Sequence, residues 1–141
     1  MKVVINKCYG GFSISKEAFH WLGLKWDGFG YLSFYNSEEA VEEAKEADKK
    51  YPSFDRDREG YNLRWDMEKA LGITIPEESW HIEDKILRTA PRLIECVEEL
   101  DDVASGGFAR LKIVEIPDGV EFEIEEYDGM EWIAEKHKTW G

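Results

Sequence analysis

Apolar and polar positions along the chain fall into short blocks whose period changes repeatedly. Val3, Val4 and Ile5 form a contiguous β-branched run ahead of Tyr9-Gly10-Gly11, which predicts a buried strand over Lys2 to Cys8 ending in a glycine turn. Ser15 stands where a hydroxyl can cap a helix that places Ala18, Phe19 and Leu22 on one face, with Gly23 as its stop. Phe29 to Tyr35, aromatic-rich and bounded by Gly28 and Asn36, predicts a second strand. Ser37 followed by Glu38 and Glu39 opens another helix, in which Ala40, Val41, Ala44 and Ala47 make a thin apolar stripe. The alternating charges of YPSFDRDREG, from Tyr51 to Gly60, read as a surface loop.

Further on, Trp65 to Leu71 fits a short helix ending at Gly72, whereas Trp80 to Leu87 fits neither the helical nor the strand period. Pro91 begins a helix whose Leu93, Ile94, Val97 and Leu100 share a face, with proline in the first turn where its missing N–H costs nothing. Phe108 to Ile116, joined through Pro117-Asp118-Gly119 to the alternating segment Val120 to Glu125, predicts a β-hairpin with Val120, Phe122 and Ile124 inward. Asp128 and Glu131 have the spacing of a capping box, which predicts a closing helix over Met130, Ile133 and Ala134. These elements amount to a single α+β domain over residues 1–141, with a mixed or antiparallel sheet, a C-terminal hairpin and three to five helices.

Composition narrows the function. With 31 acidic against 18 basic residues, the net charge is −13, which opposes direct contact with nucleic-acid phosphates and with anionic membranes. No apolar stretch has the length of a membrane span or a secretory signal, and Cys8 and Cys96 lie far apart without a paired neighbour. The expected setting is the cytoplasm, with both thiols reduced.

The opening MKVVINKCYGGFSIS, the segment RTAPRLIECVEEL and the ending LKIVEIPDGVEFEIEEYDGMEWIAEKHKTW resemble a family of short bacteriophage and prophage proteins of unassigned function. The resemblance covers both ends and leaves about Trp26 to Ile86 aside. It implies a phage origin, hence a host cytoplasm, and a role in interfering with host enzymes or host immune signalling. It also implies an acidic residue at the position of Ala90, where this chain lacks a helix cap unless Thr89 replaces it.

No catalytic constellation accompanies these blocks. His20, His81 and His137, with Glu131 and Glu135, have none of the usual ligand spacings, so no metal and no cofactor is expected. Cys8, at a strand end before glycines, is either a nucleophile or a packed thiol, and no histidine is marked as its base. Tyr9-Gly10-Gly11-Phe12-Ser13 joins a strand to a helix, where amides can hold an anion, although it lacks the phosphate-loop lysine and the dinucleotide glycine spacing.

Lys7, Arg88 and Arg92 flank the same blocks, and Tyr9, Phe12, Tyr127, Trp132 and Trp140 supply rings that can stack on a base. The expected function is therefore a non-enzymatic accessory protein that binds a small, nucleotide-like anionic ligand or a host factor through Lys7, Tyr9, Gly10, Gly11, Arg88, Arg92, Tyr127 and Trp140. The alternatives are an acidic inhibitor or nucleic-acid mimic, presenting Glu38 to Asp48 and Glu115 to Glu126 to a host enzyme, and a small thiol or metal hydrolase. A homodimer with a pocket at its interface is compatible with all three.

Overall fold

The computed structural model describes residues 1–52 and 57–135. The elements run β1 (Lys2–Asn6), α1 (Lys16–Leu22), α2 (Glu38–Lys50), α3 (Arg64–Leu71), α4 (Asp84–Arg88), α5 (Pro91–Leu100), a 3-10 turn (Asp101–Ala104), β2 (Leu111–Glu115), β3 (Phe122–Tyr127) and β4 (Met130–Glu135). The class is α+β, with five helices, two small antiparallel sheets and a C-terminal hairpin. Among the described residues, no helix is long and apolar enough to cross a membrane.

The helices with clear local signals form where those signals stand. The Ser15 hydroxyl accepts the Ala18 N–H at the start of α1, and Gly23 closes it with a left-handed φ of 81°. Ser37 caps α2 in the same way through the Ala40 N–H. Helix α5 starts at Pro91 and buries Leu93, Cys96 and Val97. Its N-cap Ala90 offers no side-chain bond, and the Thr89 hydroxyl turns back to the Lys85 carbonyl, so Thr89 does not replace the missing cap. Such a missing cap costs about 1 kcal/mol.

Sheet pairing departs from the sequence reading. β2 does not pair with β3; it pairs with β1 from the far end of the chain, Val3 opposite Val114 and Ile5 opposite Lys112. The hairpin is instead β3 with β4, Tyr127 opposite Met130. Asp128 and Gly129 between them, with φ of 49° and 91°, make the two-residue turn that Asp-Gly favours. The expected closing helix over Met130 to Ala134 is therefore a strand, and Asp128 is a turn residue rather than a cap. Phe29 to Tyr35 is not a strand either: it is a loop with left-handed Gly28, Gly30 and Leu32, and only Tyr35 makes an isolated bridge, to Leu63. The ambiguous stretch at Trp80 resolves into a loop leading to the short helix α4.

The β1–β2 sheet lies between two apolar clusters. Val4 and Leu111 face a large cluster with Phe19, Leu22, Met67, Leu71, Leu93, Cys96 and Val97 from the helices. Val3, Ile5 and Ile116 face Phe122, Ile124 and Ile133 of the hairpin. Alternation along one strand thus supplies both cores. Each fully buried side chain of this size contributes about 1.5 to 3 kcal/mol. Helix α2 joins neither cluster and buries no residue.

Candidate functional site

The two sheets are joined by a buried ion pair instead of by backbone ladder bonds. Lys7 N–H bonds the Arg110 carbonyl and Ile116 N–H bonds the Met1 carbonyl, so the backbone N–H and C=O groups of odd-numbered residues of β1 point toward β2 and those of even-numbered ones point away. On that free edge the Glu131 carboxylate accepts the Asn6 N–H at 2.7 Å, and the Arg88 guanidinium donates to the Val4 carbonyl at 3.3 Å. Arg88 and Glu131 then close a two-pronged pair at 2.5 and 2.8 Å, with Arg88 only 4% exposed. The guanidinium lies 3.7 Å from the centre of the Phe12 ring. Asn6 completes the knot: its amide donates to the Cys8 and Gly129 carbonyls and accepts the Cys8 and Arg110 N–H groups.

The opening strand, the end of α4 and the C-terminal hairpin meet at this knot, through Asn6, Arg88 and Glu131. Arg88, read from sequence as a ligand contact, is thus a structural cross-link whose charge Glu131 already satisfies. Glu131 is correspondingly withdrawn from any metal-ligand role and, lying on a strand, does not share a helix face with Glu135. Arg92 sits elsewhere, on α5, with its guanidinium 4.5 Å from the Trp21 ring centre and 2.7 Å from Glu95. Tyr127 is exposed at the hairpin end, and Lys7 and Tyr9 are exposed after β1. Gly10 and Gly11 pass directly beneath the hairpin turn, where a Cβ on Gly129 would overlap the Gly11 amide and lie 2.8 Å from that of Gly10. Trp140 and His137 lie outside the described residues.

Of the predicted residues that are described, Gly10 lines one cleft and Arg92 another, the latter of about 410 Å³ and bordered by Leu22, Asp66 and Lys69. The cleft at Gly10 is the one of the two with ring faces. That cleft, about 520 Å³, runs between the loop after β1, the loop after α1 and the loop before β2. Its construction follows from a few close approaches. Asp27, buried, accepts the N–H groups of Phe29 at 2.8 Å, Gly30 at 2.6 Å and Tyr31 at 3.1 Å, folding that segment into a tight arch. The arch is pinned to the core by the N–H of buried Ile14 on the Gly30 carbonyl, at a position where a Cβ would collide with Ile14. It presents Phe29 and Tyr31 as stacked rings, centres 5.4 Å apart and 6° from parallel.

The facing wall is Ser105-Gly106-Gly107-Phe108. Gly106 N–H bonds the Ser13 carbonyl, and the absence of a Cβ on Gly106 leaves room for the Ser13 hydroxyl. Phe108 packs its Cβ against Gly10 yet leaves 80% of its surface exposed. Lys16 lies at the cleft edge, its ammonium 2.9 Å from Asp57 and 3.0 Å from Glu59, and these bonds raise its pKa. The cleft therefore offers ring faces, serine hydroxyls and glycine backbone around one already paired cation.

Phe108, Gly106 and Asp27 were not singled out from the sequence. The available signal was Asp27-Gly28-Phe29-Gly30-Tyr31, an aspartate followed by alternating glycines, which is turn chemistry despite its aromatic content.

Other candidate chemistry is dispersed. Cys8 and Cys96 are free thiols, and burial pushes Cys96 up to about 11. His20 lies 2.9 Å from Glu59, and no group of three or more His, Cys, Asp or Glu able to hold a metal forms among the described residues. The acidic stripes are partly neutralised, by Lys45 on Glu42, Lys49 on Glu46 and Lys85 on Glu123. Compared with known proteins, the chain matches no family model, no curated protein and no solved structure.

Proposed function

We propose that the protein is a non-enzymatic binding module that captures a small, ring-bearing, nucleotide-like ligand in the cleft between the Asp27-held arch and the Ser105–Phe108 loop. The observation that carries this reading is the pairing of a rigid, stacked Phe29–Tyr31 platform with an exposed Phe108 across a cleft of about 520 Å³. That volume falls within the roughly 300 to 1,000 Å³ of small-molecule sites, and base-on-aromatic stacking is worth about 1 to 3 kcal/mol. Ser13 and Ser105 add hydroxyls for the edges of the ring or its sugar, whereas the Ser15 hydroxyl is already used by Ala18 and Val103.

Recognition here rests on the ring more than on phosphate, because Arg88 is committed to Glu131 and Lys16 to two carboxylates. In the phage setting that the family resemblance implies, sequestering such a ligand would blunt a host response without any turnover.

The test is native mass spectrometry and calorimetry of the purified chain with nucleoside mono- and dinucleotides. Saturable binding of an unaltered ligand, lost in Phe108→Ala while the urea midpoint stays unchanged, supports the capture. Conversion of the ligand, or binding indifferent to Phe108, overturns it.

A further inference from the structure

A second cleft backs onto the first and shares Tyr31 with it, but its chemistry differs. It has a volume of about 300 Å³ and takes its walls from Phe12, Tyr31, Phe34 and Trp80, with Asp84 at its margin and the His81 ring 4.2 Å from that of Trp80. Trp80 is 78% exposed and Tyr31 63%, an unusual degree of exposure for two large rings beside one hollow. Asp84 opens α4 and is itself exposed, and no cation among the described residues pairs with it. Glu77, Glu78 and Glu83 extend the negative field along the same loop, in a chain of net charge −13. Phe12 already carries the Arg88 guanidinium on one face, a charge that Glu131 neutralises, so the open rings of this cleft are Tyr31 and Trp80.

Aromatic faces carry negative quadrupole potential, so several of them around a hollow with one unpaired carboxylate select a weakly hydrated cation over a neutral or anionic group. A compact ammonium with bare hydrogens holds its water too strongly for such a site, whereas an alkylated one sheds it and gains apolar contact. We infer that the cleft formed by Phe12, Tyr31, Phe34 and Trp80 with Asp84 binds an alkylated, quaternary-type ammonium group. This site does not depend on the capture of a nucleotide-like ligand next door, and its residues other than Tyr31 are absent from that cleft.

The experiment is isothermal calorimetry of the full chain with choline and with its uncharged carbon isostere, 3,3-dimethylbutanol. Choline should bind at least about tenfold more tightly than the isostere, the discrimination expected of a partly desolvated cation–π site. Trp80→Ala and Asp84→Asn should each weaken choline binding about tenfold or more, with Trp80→Phe retaining part of it. Both positions are exposed, and an unchanged urea midpoint verifies that the variants fold. Equal binding of the isostere, an unaffected Asp84→Asn variant, or no saturable binding of choline or of a trimethyl-lysine peptide overturns the inference. Tighter binding of the peptide than of choline locates the ammonium on a protein, and the reverse locates it on a free small molecule. Phe108→Ala should leave choline binding unchanged, so failure of either cleft is read separately.

Discussion

The Arg88–Glu131 knot and the aromatic clefts use similar residue types to opposite ends. In the knot, an arginine, an aromatic ring and a carboxylate are turned inward against one another and the free edge of β1, with the Arg88 Nε alone left without a hydrogen-bond partner among the buried side-chain atoms of the described residues. In the clefts, the rings of Tyr31, Trp80 and Phe108 and the carboxylate of Asp84 are left exposed at the surface. The contrast teaches that an arginine near a glycine turn is a poor marker of a binding site until its partner is known. An arch whose amides are held by one buried aspartate while Tyr31 stays 63% exposed is a better one.

The knot should dominate stability. Glu131→Gln keeps an acceptor for the Asn6 N–H but strands the Arg88 charge, and should lower the unfolding free energy by about 3 to 5 kcal/mol in urea titration. Adding Arg88→Met to that variant should recover much of the loss, because the stranded charge rather than the lost attraction is the main penalty. A double variant no more stable than the single one would mean that the bonds to Val4 and Asn6, and not the charge, hold the sheets together.

Gly129→Ala should come next. A φ of 91° and a Cβ overlapping the Gly11 amide would force the hairpin turn away from the loop after β1, at a cost of about 2 to 3 kcal/mol. The same denaturation assay reads it, and a neutral result would detach the hairpin from the knot. Ser15→Ala removes the cap of α1 and a hydroxyl bond to the Val103 carbonyl at 2.5 Å, and should cost about 1 kcal/mol. Trp80→Ala and Phe108→Ala, by contrast, should shift stability by no more than about 0.5 kcal/mol, as surface changes do, and act on binding alone.

The smallest effect belongs to Glu59, whose carboxyl is held down to about 2 by its bonds to His20 and then Lys16. A carboxylate whose folded pKa lies below its ordinary 4.5 adds stability that is present above that value and fades as pH falls toward 2. Glu59→Gln should therefore flatten the slope of stability against pH in that window, and leave it unchanged near neutrality.

Much of the framework was legible because it is local. Ser15, Ser37, Gly23, Gly72 and Pro91 act on amides within a turn of themselves, so the helices they bound follow from short-range spacing. Strands β1 and β3 were legible too, in Val3-Val4-Ile5 and in the alternation around Phe122, whereas β4 read as a helix and the loop from Phe29 to Tyr35 as a strand. Strand partners were not. The Pro117-Asp118-Gly119 and Asp128-Gly129 turns both look like hairpin connections, and only the positive φ pair at 128 and 129 yields the tight two-residue turn.

Nor could spacing show that Arg88 would meet Glu131, 43 residues away, or that Phe29 and Phe108 would face one cleft. The sequence by itself determined the class, the helix ends, the apolar runs and the acidic field, since each depends on neighbours in the chain. The tertiary structure alone decided which charges were neutralised and which rings stayed exposed at the surface. Burial and pairing depend on segments brought together only when β1 and β2 close the chain on itself, 109 residues apart at Val4 and Ile113.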